Sequence, residues 1–166
     1  LEKLPPLTIT TPGSFGANVS LDMEVILAMW EKNLGIKTEF QQTEFATFLK
    51  DLNKRRFQMF DIGWIADYPD PENFLDILFY SDSSNNHTNY NNPEVDSLLE
   101  QARVETDEAR RFSIYNQVEQ TILDDAPWIP LWYSGERYLL VKSNVHDYLQ
   151  TPLIIPKLRH VYLTDE

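Results

Sequence analysis

The first 64 residues alternate between two hydrophobic periods, and that alternation restricts the fold more than any other feature of the chain. Leu7-Thr8-Ile9-Thr10 is β-rich and alternating, and it runs into the turn former Thr11-Pro12-Gly13, which predicts a strand. Leu21, Val25, Ala28, Met29 and Leu34 then recur at helical spacing. Asp22 and Glu24 sit in the first turn, and Gly35 follows the last apolar position as a C-cap, giving a helix over about residues 20–34. Residues 36–40 read as a second strand. Phe45, Phe48, Leu49 and Leu52 match the i, i+3, i+4, i+7 template of a second helix, and residues 57–64 read as a third strand. Helical crossovers between successive strands imply parallel neighbours. The expectation is an α/β fold with a mostly parallel central sheet flanked by helices.

In open sheets of this kind, ligands sit outside the carboxyl ends of the strands. The third strand ends in Gly63-Trp64-Ile65-Ala66-Asp67-Tyr68-Pro69-Asp70-Pro71. This segment offers free main-chain groups, an aromatic wall at Trp64 and a carboxylate at Asp67 followed by two prolines. Those are the requirements for gripping a short peptide by its main chain and its ammonium group. Each residue also has a plainer reading. Asp67 can be a turn or N-cap aspartate, Trp64 can pack at a strand end, and Gly63 can simply admit a close backbone approach.

Beyond this segment, Phe74, Ile77 and Leu78 mark a short helix with Pro71 in its first turn. Residues 81–92 are polar and loop-like. Asn92-Pro93-Glu94 reads as N-cap, N1 and N2 of a helix carrying Val95, Leu98, Leu99 and Ala102. Asp107 opens a last helix with Phe112, Tyr115, Val118 and Ile122 inward and Pro127 just past its end. Residues 128–133 and 137–141 are expected to form a hairpin across Ser134-Gly135-Glu136. Residues 143–166 are apolar in patches without a clear period.

Several of these pieces resemble one known family. Trp64-x-x-Asp67-Tyr68 with Pro71, Phe74-Leu75, and the loop Ser83-Ser84-Asn85-Asn86 occur in an order similar to the second lobe of the oligopeptide- and dipeptide-binding proteins. So do Tyr90-x-x-Pro93-x-x-Asp96-x-Leu98-Leu99, Arg110-Arg111-x-x-x-Tyr115-x-x-x-Glu119, and Leu123-x-x-Asp125-Ala126-Pro127-x-Ile129-Pro130-Leu131-x-Tyr133. These proteins form the extracellular solute-binding protein family 5 of ABC importers.

The resemblance implies a lobe of the periplasmic-binding-protein type II kind over residues 1–142. Residues 143–166 would return to a first lobe belonging to a longer parent, which would also carry the export signal. It implies capture of short peptides between two lobes, delivery to a membrane ABC permease, and a periplasmic or extracellular location in a bacterium. Asp67 would pair with the peptide α-ammonium, Gly63, Trp64, Ile65 and Ala66 would pair with its main chain, and Trp64 would line a side-chain pocket. Relatives of this fold also bind oligosaccharides, nickel complexes or haem, so the same fold with another solute stays open.

Composition excludes other classes. The net charge is −12, from 14 basic and 26 acidic residues, and the basic residues are scattered, which argues against nucleic acid and anionic membrane surfaces. With no cysteine, disulfides, thiol nucleophiles and thiolate metal sites are ruled out. His87, His146 and His160 share no ligand spacing, and no nucleophile-elbow, zincin, P-loop or dinucleotide motif occurs. No catalytic residue, metal site or cofactor is therefore expected. A glycoside hydrolase using Asp61, Asp67 or Asp70 is the competing enzyme reading, since paired catalytic carboxylates are set by fold rather than by local spacing. A calcium site on the same residues lacks the glycine and terminal glutamate of an EF-hand loop.

Overall fold

The computed structural model describes residues 6–13, 20–133, 140–149 and 157–165. Two compact units divide the chain, Leu1–Trp64 and Ile65–Glu166. The first is built on β1 (Leu7–Pro12), α1 (Leu21–Leu34), β2 (Thr38–Thr43), α2 (Phe45–Asn53) and β3 (Met59–Phe60). Its sheet has the order β2-β1-β3 with both pairings parallel, so the chain is α/β with a parallel sheet, as its alternating periods dictate.

Local chemistry sets where these elements start and stop. Ser20 caps α1 by accepting the Met23 N–H, and Gly35 closes it at φ 65°, a left-handed conformation that glycine adopts without strain. The inward stripe of α1 consists of buried Met23 with half-buried Ile26, Leu27 and Trp30. Leu21, Val25 and Met29, which set the helical period in the sequence, lie on the other side and are at least half exposed. α2 buries Phe48 and Leu52, and Phe48 stacks on Phe57 with ring centroids 5.0 Å apart.

Two strands differ from their sequence expectation. β2 runs through polar Gln41, Gln42 and Thr43 because each pairs with a residue of β1, and Gly13 N–H extends the ladder to Thr43 C=O. On an edge strand the backbone partner, not side-chain polarity, decides length. β3 is shorter than the expected residues 57–64. Phe57 is engaged with Phe48, and the Gln58 side chain, not its backbone, accepts the Thr8 N–H at 2.8 Å. The strand then ends one hydrogen bond past Phe60, where Asp61 N–H donates to Thr10 C=O at 3.1 Å.

The second unit contains α3 (Glu72–Phe79), α4 (Pro93–Val104), α5 (Glu108–Asp125) and a small antiparallel pair, β4 (Val145–His146) with β5 (Tyr162–Leu163). Asn92 caps α4 through Glu94 and Val95, with Pro93 at its start, and Asp107 caps α5 through Arg110. α5 ends on Ala126 in the left-handed region, at φ 50°. Leu78, Phe79, Val95, Leu99, Ala102, Tyr115, Val118 and Ile122 form the core. Phe112, expected inward, is 39% exposed. A bidentate pair joins Arg103 to Asp76, and the Arg103 guanidinium lies 4.2 Å from the Tyr80 ring centroid.

The loop between α3 and α4 is ordered by one buried side chain. The Asn86 amide donates to the Tyr80 and Tyr90 carbonyls and accepts the Tyr90 N–H, so one side chain satisfies three backbone groups at the two ends of a loop without helix or strand. Residues 128–133 contain no strand, and Trp132 and Tyr133 are exposed. Residues 134–139, the expected turn and most of the returning strand, lie outside the described residues. No helix among the described residues is long and apolar enough to cross a membrane.

Candidate ligand-binding site

Gly63 and Trp64 end the first unit, and Ile65, Ala66 and Asp67 open the second, so the five candidate residues are joined by the chain itself. Asp61 N–H is the last backbone group of this stretch tied to the sheet. Gly63, Ile65 and Ala66 form no hydrogen bond through main-chain N–H or C=O to any described residue. Gly63 is exposed, its φ lies outside the left-handed region, and a Cβ added there would meet nothing within 4 Å. Among the described residues its missing side chain therefore serves neither a left-handed turn nor close packing. Ile65 is 56% exposed, and Trp64 and Ala66 are half-buried.

Two carboxylates follow within one turn, and the structure gives them opposite fates. Asp70 is fully engaged. Its Oδ1 accepts the Glu72 N–H at 2.9 Å, and Arg111 donates to both of its oxygens at 2.8 and 2.6 Å. The hydrogen bonds from Arg111 hold the Asp70 carboxyl below its ordinary pKa. Arg111 also donates to the Tyr115 hydroxyl at 3.0 Å, one helical turn further along α5.

Asp67 is fixed only through its backbone. Its N–H donates to Oδ1 of the fully buried Asn73 at 3.2 Å, while its carboxylate is exposed and bonds to no described residue. The turn role that Asp67 could have filled belongs to Asp70. α3 itself opens on Pro71 without a side-chain cap.

Asn73 and Arg111 were not legible as site residues. The signal for Arg111 was its i, i+4 spacing to Tyr115, which places both on one face of α5 but says nothing of Asp70. Asp61 also stands out: burial pushes its carboxyl up, with no donor to offset it. Tyr68 hydrogen-bonds through its hydroxyl to Glu72, which closes the outer side of the turn.

Residues 2–86 match the family described as Bacterial extracellular solute-binding proteins, family 5 Middle. The chain is 30% identical over 139 residues to the oligopeptide-binding protein OppA of Bacillus subtilis, covering 84% of this chain and 24% of that protein. Among solved structures it is similar to Burkholderia pseudomallei OppA, with a TM-score of 0.78 and 31% identity over 96% of this chain and 31% of the other. It is also similar to the periplasmic binding protein DppA from Helicobacter pylori in complex with the peptide STSA, with a TM-score of 0.75 and 25% identity over 95% of this chain and 31% of that one. The chain thus spans about a quarter of the length of the curated relatives it matches. With the parallel α/β architecture, the ordered turn after β3 and this match in hand, the chain belongs to the bacterial extracellular solute-binding proteins of family 5.

Proposed function

We propose that this chain is one lobe of a longer substrate-binding protein that captures short peptides and hands them to an ABC permease. Residues 1–142 supply the lobe and residues 143–166 return toward a first lobe. Closure of the two lobes around the ligand is the functional event, and no chemistry follows it. The observation that carries the reading is the contrast within the turn after β3. Asp70 is consumed by Arg111 and the start of α3, whereas Asp67 keeps an exposed carboxylate with no partner among the described residues. Beside it lie main-chain groups of Gly63, Ile65 and Ala66 that pair with no described residue. Asp67 takes the ligand α-ammonium as a charge-assisted bond, Gly63 to Ala66 pair with the peptide main chain, and Trp64 walls a side-chain pocket. Main-chain pairing makes affinity largely independent of ligand sequence. The peptide complex of the similar DppA supports the choice of ligand class.

The test is calorimetric titration of the full-length protein with tri- to pentapeptides, beside the same peptides N-acetylated. Binding of the free-amine set alone, weakened by Asp67→Asn, is the expected result. Equal binding of both sets removes Asp67 from its role. If neither set binds, the peptide reading falls, and oligosaccharides and metal complexes are the solutes to try next.

A further inference from the structure

The carboxylates of this chain divide sharply by burial and partner. Every other buried or half-buried carboxylate among the described residues has a donor. Asp51 takes Arg56, Asp70 takes Arg111, Asp76 takes Arg103, Asp96 takes the Ser81 N–H, Glu72 takes the Tyr68 hydroxyl, and Glu105 takes the Asp107 N–H. Asp61 is the exception: half-buried, yet without a hydrogen bond or ion pair to any described residue through its side chain.

Its position is fixed, because its N–H is tied to Thr10 C=O on the central strand β1 at 3.1 Å. It stands at the carboxyl end of β3, where open α/β sheets receive ligands, two residues before the unpaired main chain of Gly63. A carboxylate removed from water without a partner costs free energy that only an incoming cation or donor returns. The cost shows as a carboxyl pushed up by burial alone, with no charged group among its causes.

We infer that Asp61 is a specificity-determining residue that receives a basic side chain of the ligand, so that the protein prefers peptides carrying lysine or arginine. This rests on the peptide reading above and deepens it: Asp67 recognises the ammonium common to all free peptides, and Asp61 discriminates among them.

The test is titration of the full-length protein with Ala-Ala-Ala, with the three tripeptides that move one lysine along the alanine chain, and with their methionine counterparts, which match lysine in length without its charge. One lysine peptide should bind at least about tenfold tighter than its methionine twin, the size of one charged hydrogen bond. Asp61→Asn should close that gap. Asp67→Asn should weaken all free-amine peptides while leaving the gap open.

Equal binding of lysine and methionine peptides overturns the inference while leaving the peptide reading standing. So does a gap that survives Asp61→Asn. A loss of thermal stability of the ligand-free full-length protein in Asp61→Asn, with the gap unchanged, overturns it by assigning the Asp61 partner to the protein itself. Silence with every peptide, Ala-Ala-Ala included, overturns the peptide reading and this inference together.

Discussion

Deleting the Arg111 guanidinium weighs the clamp that fixes the turn after Asp67. Arg111→Met keeps the aliphatic stem and removes two hydrogen bonds to Asp70, at 2.8 and 2.6 Å, and one to the Tyr115 hydroxyl at 3.0 Å. A charge-assisted bond contributes about 1.5–3 kcal/mol when well buried, and exposed ion pairs give roughly 0.2–1 kcal/mol. The Arg111 and Asp70 side chains are 24% and 27% exposed, so the pair lies between these limits. A double-mutant cycle with Asp70→Asn should give a coupling of about 1 kcal/mol. The hydroxyl of buried Tyr115 loses its donor as well, for about 1 kcal/mol more. Arg111→Met should therefore lower stability by about 2 kcal/mol, read as a drop in the urea midpoint at unchanged slope.

The pH dependence has a fixed sign. Hydrogen bonding from Arg111 depresses the folded-state pKa of Asp70, so its stabilisation is present above the ordinary aspartate value of about 3.9 and is lost as pH falls through the folded value. Arg111→Met should accordingly lose less stability than wild type over that acid window. A coupling below about 0.3 kcal/mol, or acid limbs that superimpose, would refute the reasoning.

Three further outcomes test other parts of the structure. Gly63→Ala should leave folding stability unchanged or raise it by up to about 1 kcal/mol, because no described residue lies within 4 Å of the added Cβ. Peptide binding by the full-length protein should weaken in the same variant, since the methyl group meets the incoming main chain, and calorimetry beside thermal melts separates the two effects. Ala126→Gly should stabilise the chain by about 1 kcal/mol, measured by urea titration, because Ala126 closes α5 in the left-handed region. Asp61→Asn should raise the stability of this chain near neutral pH. The Asp61 carboxyl is pushed up by burial, so its contribution is favourable below the ordinary aspartate value and is lost as pH rises through the folded one; the advantage of the variant should vanish in acid.

Caps and turn residues were the most legible part of this sequence, because they act locally. Gly35, Asn92 with Pro93, and Asp107 each stand where the residue type demands, whereas Ser20, read as part of the helix, turns out to be its cap. The inward face of α1 was not legible. The helix carries two apolar stripes, Leu21-Val25-Met29 and Met23-Ile26-Leu27-Trp30, and periodicity cannot say which one is buried. The length of β3 was hidden for a different reason: Phe57 and Gln58 have strand-like types, but their side chains are committed to Phe48 and Thr8. At the site, the sequence pointed to Asp67 and could not separate it from Asp70. The residue that separates them, Arg111, lies 41 positions further on and reaches Asp70 only in the folded chain.

The Asn86 loop has a consequence for how the second unit moves. A segment without helix or strand ordinarily opens by small local fluctuations, and its amides exchange with solvent quickly. Here the Tyr90 N–H is held by a side chain that is 1% exposed, and the same Tyr90 is tied through its hydroxyl to Asp125 at the end of α5. Releasing that one amide breaks it from the buried Asn86 side chain, whose own amide also holds the Tyr80 and Tyr90 carbonyls. In deuterium exchange, Tyr90 should follow the slow helical amides of α4 and α5, so that a loop residue reports the cooperative opening of the whole unit.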